Sequence, residues 1–297
     1  METVATGLSF PEGPVFDAEG NLYVVEIAAG WVAKIAPDGT TTRFADTGGG
    51  PNGMALGPAG QLWVANSGGL DRGEVVERPG FVKVPRIEQV HRDGTISVLS
   101  LEADGRPLQG PNDVVVDREG GLWFTDPGGP NRDIVTPRGR VCWASPDGRD
   151  VRVVASGYQY PNGLALRADD GELIVDETGS GHLWIHDVRG PGSLGERRPF
   201  AEMPEGYLPD GMCLDASGRV LVAGCGGAGL VVFDEGGKQL DRLEFPTAEA
   251  GLVTNVAFRP GQAEIYVTIG RAVEGTVVRL PWDEQGAPLP GWTAHLA

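Results

Sequence analysis

Six short motifs place an oxygen-bearing side chain at the same point of a repeated pattern. Each motif has a proline or apolar residue, the polar residue, a short apolar run, a turn with glycine and a second apolar run. The polar residues, here called the ring positions, are Glu12, Asn52, Asn112, Asn162, Asp210 and Thr254. Their side chains offer oxygen and no sulfur or imidazole, and such hard donors suit Ca²⁺, Mg²⁺ or Mn²⁺. The pattern predicts a metal centre if the fold brings these positions together.

A second interpretation of the motifs needs no metal. Pro-Asn-Gly and Pro-Asp-Gly are common turn tripeptides whose polar side chain bonds to its own backbone. For any single motif this is the simpler interpretation. For the whole set, the carboxylates at Glu12 and Asp210 favour a metal centre, because carboxylates that converge in a narrow channel repel each other unless a cation intervenes.

The spacing of the motifs indicates the elements that position them. The motifs begin 40 to 60 residues apart, and their apolar runs are short and rich in β-branched or aromatic residues. Further hairpins follow each motif, often turned by Asp-Gly, as at Asp38-Gly39. Four strands per repeat at this period are typical of a propeller blade. We therefore expect an all-β fold, a six-bladed β-propeller in one domain over residues 1–297, with the ring positions converging on its channel.

The last blade lacks a good fourth strand in its own repeat, and the start of the chain offers one. Val4–Gly13 parallels Val153–Gly163, whose leading residues read as the outer strand of blade three. Residues near Thr3–Gly7 are therefore expected to close blade six and leave no open sheet edge. Two longer inserts are expected to form loops over one face: Gly68–Pro85 and Gly128–Arg138.

Composition narrows the class of partner. The 297 residues include 24 Lys and Arg against 41 Asp and Glu, a net charge of −17 that would repel nucleic acid. The sequence begins Met1-Glu2-Thr3 without a basic and apolar run, so no signal peptide is expected, and no apolar stretch has membrane-spanning length. The three cysteines, Cys142, Cys213 and Cys225, cannot form a complete disulfide framework. We expect a cytoplasmic protein that acts on a small molecule, without a nucleic-acid or membrane partner; its oligomeric state is open.

The ordered motifs resemble those of a known family. The chain carries EGP from Glu12, PND from Pro111, FTDP from Phe124, PNGL from Pro161, DET from Asp176, PDGM from Pro209 and VTNVAF from Val253. This series, which spans nearly the whole chain, resembles the senescence marker protein/gluconolactonase/luciferin-regenerating enzyme family of six-bladed propellers. The resemblance implies a divalent metal at the channel centre and hydrolysis of sugar-acid lactones.

The resemblance also implies roles for individual residues. The metal would be held by Glu12, Asn112, Asn162 and Asp210, with Ca²⁺ expected first and Mg²⁺, Mn²⁺, Zn²⁺ or Fe²⁺ also compatible. Asn112 matches a residue that binds either metal or substrate. The metal would polarise the lactone carbonyl while a carboxylate deprotonates the attacking water. Asp210 is the first candidate for that base and Glu12 the second, and the sequence leaves the choice open.

The substrate is expected to contact Asn52, Asn112, Asp126 and Glu177, the last two at the ends of second strands. Sugar lactonases of the family commonly carry an arginine two places before the asparagine of PND, where this chain has Gly110. A smaller or less polar lactone or ester is therefore expected rather than only a polyhydroxylated one. Two alternatives stay open: a non-hydrolytic reaction in the same pocket, such as isomerisation or dehydration, and a non-catalytic binding scaffold.

Overall fold

The computed structural model describes residues 1–69, 81–128, 134–167, 169–245, 251–271 and 273–288. These residues form six sheets of four principal antiparallel strands each, arranged in sequence around a central channel. The six-bladed β-propeller predicted from the repeats is confirmed. Across the described ranges there is no helix that is long and apolar enough to cross a membrane.

The first three blades follow the chain after an initial strand, β1 (Glu2–Leu8). Blade one contains β2 (Pro11–Phe16), β3 (Leu22–Glu26), β4 (Trp31–Ile35) and β5 (Thr41–Asp46). Blade two contains β6 (Pro51–Leu56), β7 (Leu62–Asn66), β8 (Arg86–Val90) and β9 (Ile96–Ser100). A small hairpin follows, made of β10 (Glu102–Ala103) and β11 (Arg106–Pro107). Blade three contains β12 (Val114–Val116), β13 (Leu122–Asp126), β14 (Gly139–Ala144) and β15 (Val151–Tyr158).

The second half of the chain repeats this arrangement. Blade four contains β16 (Pro161–Leu166), β17 (Glu172–Glu177), β18 (His182–Gly190) and β20 (Arg198–Glu202), and the short β19 (Ser193–Leu194) pairs with the end of β18. Blade five contains β21 (Leu208–Leu214), β22 (Val220–Cys225), β23 (Gly229–Phe233) and β24 (Gln239–Glu244). Blade six begins with β25 (Leu252–Phe258), β26 (Glu264–Gly270) and β27 (Gly275–Pro281).

The N-terminal strand completes blade six. β1 pairs with β27 in antiparallel register, from Thr3 opposite Val278 to Leu8 opposite Gly275. The prediction that the start of the chain supplies the fourth strand is confirmed. This pairing covers the edge of β27 that would otherwise expose unpaired backbone groups.

The core lies between the blades. Buried apolar residues form six clusters, and each cluster joins two consecutive blades, including blade six and blade one. The sheets therefore stack face to face around the channel, which explains why the inner strands are almost continuously buried. In the outer strands, such as β5 and β24, most residues are exposed and few are buried.

Two sequence predictions lie partly beyond the described ranges. The inserts Gly68–Pro85 and Gly128–Arg138 include residues 70–80 and 129–133, which lie outside the described residues. Their placement over one face stays a prediction.

Candidate functional site

Five of the six ring positions coincide with irregularities in the first strands of the blades, and the sixth, Asn112, precedes β12. In β2 the pairing with β3 shifts register between Glu12 and Val15, and β6, β16 and β21 shift at the equivalent place. β25 shifts between Val253 and Asn255. A β-bulge removes a residue from the regular ladder and re-aims its side chain. The irregularity thus turns the ring side chains away from the normal alternation of the strand.

Glycine after the ring position lets consecutive blades touch at the channel. A Cβ atom on Gly13 would lie 2.8 Å from the carbonyl oxygen of Asn52 on the next blade. A Cβ atom would collide with the following blade at three more glycines: Gly53, Gly163 and Gly211. Only a residue without a side chain permits this approach, so the PNG and PDG motifs bring neighbouring ring positions into direct contact.

Threonine hydroxyls tie the ring segments of consecutive blades together. They donate to backbone carbonyls next to the ring: Thr125 to Asn162 at 2.6 Å, Thr178 to Pro209 at 2.8 Å and Thr254 to Pro11 at 3.1 Å. The Thr254 hydroxyl also lies 2.8 Å from that of Thr268. The side chain at the sixth ring position therefore joins blades six and one.

The four predicted metal-binding residues and Asn52 lie on ring segments that contact one another across neighbouring blades. Glu12, Asn52, Asn112 and Asn162 are at most 5% exposed, whereas Asp210 is half-buried. The amide nitrogen of Asn162 donates to the Thr178 hydroxyl at 3.1 Å, which leaves its Oδ1 as the atom for a cation. Their role as metal ligands stays a prediction.

Two further carboxyl groups lie beside the ring. Burial, reinforced by the charge of Glu12, raises the pKa of Asp113 to about 8. Burial also raises the pKa of Asp176 well above its usual value, and the charges of Asp210 and Asp113 add to the effect. The backbone amides of Asn162 and Gly163 oppose this rise, although neither Asp176 oxygen has a hydrogen bond of normal geometry.

This concentration of acidic oxygens fits an oxygen-preferring cation. None of the groups that shift the pKa of Asp113 or Asp176 is a lysine or an arginine. Among the residues that the structure describes, no three His, Cys, Asp or Glu side chains form a metal-binding group by themselves. A metal here must draw on carboxamide oxygens as well as carboxylates, and the ring supplies both.

The predicted substrate contacts Asp126 and Glu177 are buried at the ends of β13 and β17. Asp126 accepts hydrogen bonds from the backbone of Gln109 at 3.0 Å and from Arg140. Glu177 accepts a hydrogen bond from the backbone of Gln159 at 2.9 Å. Both carboxylates anchor the chain just before a ring position, and their contact with substrate stays a prediction.

Sequence reasoning missed three polar residues at the channel: Asp113, Asp176 and Asn255. A signal was present for two of them. The residue after the ring position is glycine in blades one, two, four and five, but Asp113 in blade three and Asn255 in blade six. Asp176 was noted within DET, but its burial against the ring segment of blade four depends on the pairing of β16 with β17.

The channel continues beyond the ring as an apolar cavity of about 350 Å³. Its walls are the later residues of the first strands, such as Met54, Val115 and Met212, and its inner end includes Asp113 and Asn255. The polar ring is therefore confined to one half of the channel.

The chain is similar in sequence and in fold to proteins of one family. Residues 10–271 match the model of the SMP-30/gluconolactonase/LRE-like region. The chain is 31% identical over 295 residues to diisopropyl-fluorophosphatase from Loligo vulgaris, covering 93% of this chain and 90% of that protein. A gluconolactonase structure from Xanthomonas campestris superposes with a TM-score of 0.76 at 28% identity, covering 94% and 89% of the two chains.

A calcium-binding protein, regucalcin from Agrobacterium tumefaciens, shares the fold with a TM-score of 0.79 at 19% identity, over 97% and 96% of the two chains. The family match extends over most of the propeller, and the two enzymes above, diisopropyl-fluorophosphatase and gluconolactonase, are hydrolases. The chain belongs to the SMP-30/gluconolactonase/LRE-like family and is a hydrolase.

Proposed function

We propose that the protein is a divalent-metal-dependent hydrolase that opens a lactone or a related ester. The observation that carries the proposal is the proximity of Glu12 and Asp210 to two buried carboxyl groups, Asp113 and Asp176, whose pKa values their charges raise. The gluconolactonase and regucalcin names of the relatives support the reaction and the metal, with Ca²⁺ first. Because the Cys142 and Cys213 thiols form no disulfide, we also propose a reducing, cytoplasmic location.

Glu12, Asn112, Asn162 and Asp210 would hold the metal. A bound divalent ion supplies polarisation of the substrate carbonyl and stabilisation of the oxyanion that forms on attack. Asn52, whose backbone carbonyl lies against Gly13, would contact the substrate and orient it.

Asp210 is the better candidate for the base. Glu12 is buried, and its Oε2 accepts hydrogen bonds from the backbone of Gly13 at 2.5 Å and from Asn255 at 2.7 Å. Hydrogen bonds to a carboxylate favour its charged form and weaken it as a base. Asp210 is more exposed than Glu12, so the attacking water can reach it. We propose that Asp210 takes the proton of the attacking water.

The neighbours of the ring favour a substrate of low polarity. The residues two places before the ring positions are Phe10, Gly50, Gly110, Tyr160, Leu208 and Leu252. None of them carries a charge that could grip several sugar hydroxyls. An alkyl- or aryl-substituted lactone or ester is therefore the substrate class that we propose.

A second candidate reaction is hydrolysis of an uncharged phosphoryl fluoride with alkyl substituents. The name of the relative from Loligo vulgaris, diisopropyl-fluorophosphatase, favours it. The apolar residues before the ring suit the same substituents, so one site would serve both substrates.

Turnover by chelator-treated and metal-reloaded protein tests the proposal. The substrates are γ- and δ-lactones with alkyl groups, an aldonolactone, aryl esters and a dialkyl phosphorofluoridate. Activity should vanish with the chelator and return with Ca²⁺, Mg²⁺ or Mn²⁺. Asp210→Asn should lower kcat by about 10²- to 10⁴-fold, whereas Asp241→Asn, at an exposed position on β24, should leave it unchanged. Metal binding without hydrolysis of any substrate would exclude the proposed reactions.

A further inference from the structure

We propose that Asn255 is a positioning residue that fixes the Glu12 carboxylate so that only Oε1 serves the metal. The inference rests on the proposed metal site and deepens it. It assigns a role to a residue of blade six, whose own ring position is occupied by Thr254.

The hydrogen bonds of Asn255 fix the direction of its carboxamide. Its Oδ1 accepts a hydrogen bond from the backbone of Val256 at 2.8 Å. Its Nδ2 therefore points the other way and donates to Glu12 Oε2 at 2.7 Å. A flipped amide would set its oxygen against the carboxylate, so the contact with Glu12 has a single orientation.

Packing holds Asn255 in place between two carboxylate-bearing blades. Its side chain, 6% exposed, covers Gly211, where any Cβ atom would overlap it. Gly211 follows Asp210 on blade five, and Glu12 lies on blade one. Asn255 thus fills the gap between the segments that carry the two ring carboxylates.

The backbone on both sides of the contact is also fixed. The Thr254 hydroxyl donates to the carbonyl of Pro11, the residue before Glu12, and the Thr268 hydroxyl donates to the carbonyl of Asn255 at 3.3 Å. The Asn255–Glu12 hydrogen bond therefore joins two anchored segments, and little freedom remains for the carboxylate to rotate.

The consequence concerns the two oxygens of Glu12. Oε2 accepts from both Gly13 and Asn255, so its lone pairs are used. Oε1 would then be the oxygen that this carboxylate offers to a bound cation. Residues that orient a ligand in this way typically change metal affinity by about 10- to 100-fold when they are replaced.

Two variants and a matched control test the role of Asn255. Asn255→Ala removes the donor, and Asn255→Asp keeps the shape but places an acceptor against Glu12. The control is Asn66→Ala, because Asn66 is also buried and donates to a glutamate, Glu88, at 2.9 Å. The Ca²⁺ dissociation constant is measured by calorimetry on chelator-treated protein, together with the melting temperature without metal.

We expect both Asn255 variants to bind Ca²⁺ about 10- to 100-fold more weakly than the wild type. Asn66→Ala should lower the metal-free melting temperature but keep the wild-type dissociation constant. Dissociation constants within twofold of the wild type in folded Asn255 variants would overturn the inference and leave the metal site standing. A wild-type protein that binds no divalent metal would overturn both.

A crystal structure of the wild-type metal complex decides the matter even if neither variant folds. Glu12 should coordinate through Oε1 while Oε2 keeps its bond to Asn255. Coordination through Oε2, or through both oxygens, contradicts the inference.

Discussion

The residue that follows a ring position decides what its blade contributes to the channel. Where that residue is glycine, as at Gly13 and Gly163, the next blade closes against bare backbone. Where it is Asp113 or Asn255, a polar side chain enters the same space and lies over a glycine of the preceding blade. The two exceptions thus bring a carboxyl group and an amide to the centre of the ring.

Gly110 gives a test of the substrate class at the scale of one residue. Among the described residues other than its two chain neighbours, none would lie nearer to a Cβ atom there than the Ser67 carbonyl oxygen, at 4.0 Å. Its φ of 147° differs from the φ of about 60° at Phe10 and Tyr160, and a side chain in this sparsely populated region costs about 1–3 kcal/mol. Gly110→Arg should raise kcat/KM on an aldonolactone at least about tenfold relative to an alkyl lactone, because one buried or partly buried charged hydrogen bond is worth about 1.5–3 kcal/mol.

Gly110→Ala is the matched control for that change. It carries the same backbone strain without a guanidinium group, so it should lower the melting temperature similarly and leave the preference between the two lactones as in the wild type. Equal preferences in the Arg and Ala variants would show that this position does not select the substrate.

The sequence predicted the ring but not how the site is completed around it. Glu12, Asn112, Asn162 and Asp210 could be aligned because each follows proline in a repeated pattern. The bond from Asn255 to Glu12 joins residues 243 positions apart and depends on closure of the propeller. The burial of Asp176 likewise depends on contacts with the neighbouring blade, which a pattern within one repeat does not contain.

At the scale of the element, a bulge in the first strand of five blades is the device that re-aims the ring side chains. The pattern of short apolar runs predicted these strands, and β2, β6 and β16 begin at the prolines of their motifs. Their bulges could not be predicted from alternation, because the glycine that permits them is also a normal turn residue. The β10–β11 hairpin was missed because its strands are only two residues long.

Closure of blade six by β1 predicts an unequal effect of two substitutions in that strand. Leu8 is 2% exposed and packs with Phe16 and Val277 between blades six and one. Leu8→Ala should lower the free energy of unfolding by about 2–5 kcal/mol, because it removes buried methyl groups and leaves a cavity. Urea unfolding of purified protein measures the loss.

Glu2→Ala is the control in the same strand. Glu2 is paired with Arg279, but both side chains are exposed, and pairs of this kind contribute about 0–1 kcal/mol. A small loss for Leu8→Ala, no greater than that for Glu2→Ala, would mean that β1 does not contribute to the cooperative core.

At the scale of the whole molecule, the channel is where distant parts of an acidic chain meet. Glu12, Asp113, Asp176 and Asp210 come from blades one, three, four and five, and the chain carries a net charge of −17. Their mutual repulsion opposes closure of the propeller. A cation on the axis would relieve that repulsion, so metal binding should stabilise the whole fold and not only the site.

This linkage predicts that pH changes the stability of the metal-free protein more than that of the metal-loaded protein. Asp113, with its pKa raised to about 8, keeps a proton in the folded state that the unfolded chain loses near pH 4. Because the folded state then binds more protons, the free energy of unfolding falls as pH rises from about 4 to about 8. Asp176, whose pKa is also raised, adds to the fall. A bound metal favours the ionised carboxylates and should remove this loss.

The melting temperature should therefore decrease with pH over this window in the presence of a chelator, and the increase produced by saturating Ca²⁺ should grow between pH 5 and pH 8. Asp113→Asn removes one of the groups and should flatten the metal-free profile. If the increase in melting temperature produced by Ca²⁺ is independent of pH, the metal does not act on these carboxyl groups. Such a result would mean that the metal site does not include the acidic centre of the propeller. Protonation alone would then relieve the repulsion between the carboxyl groups.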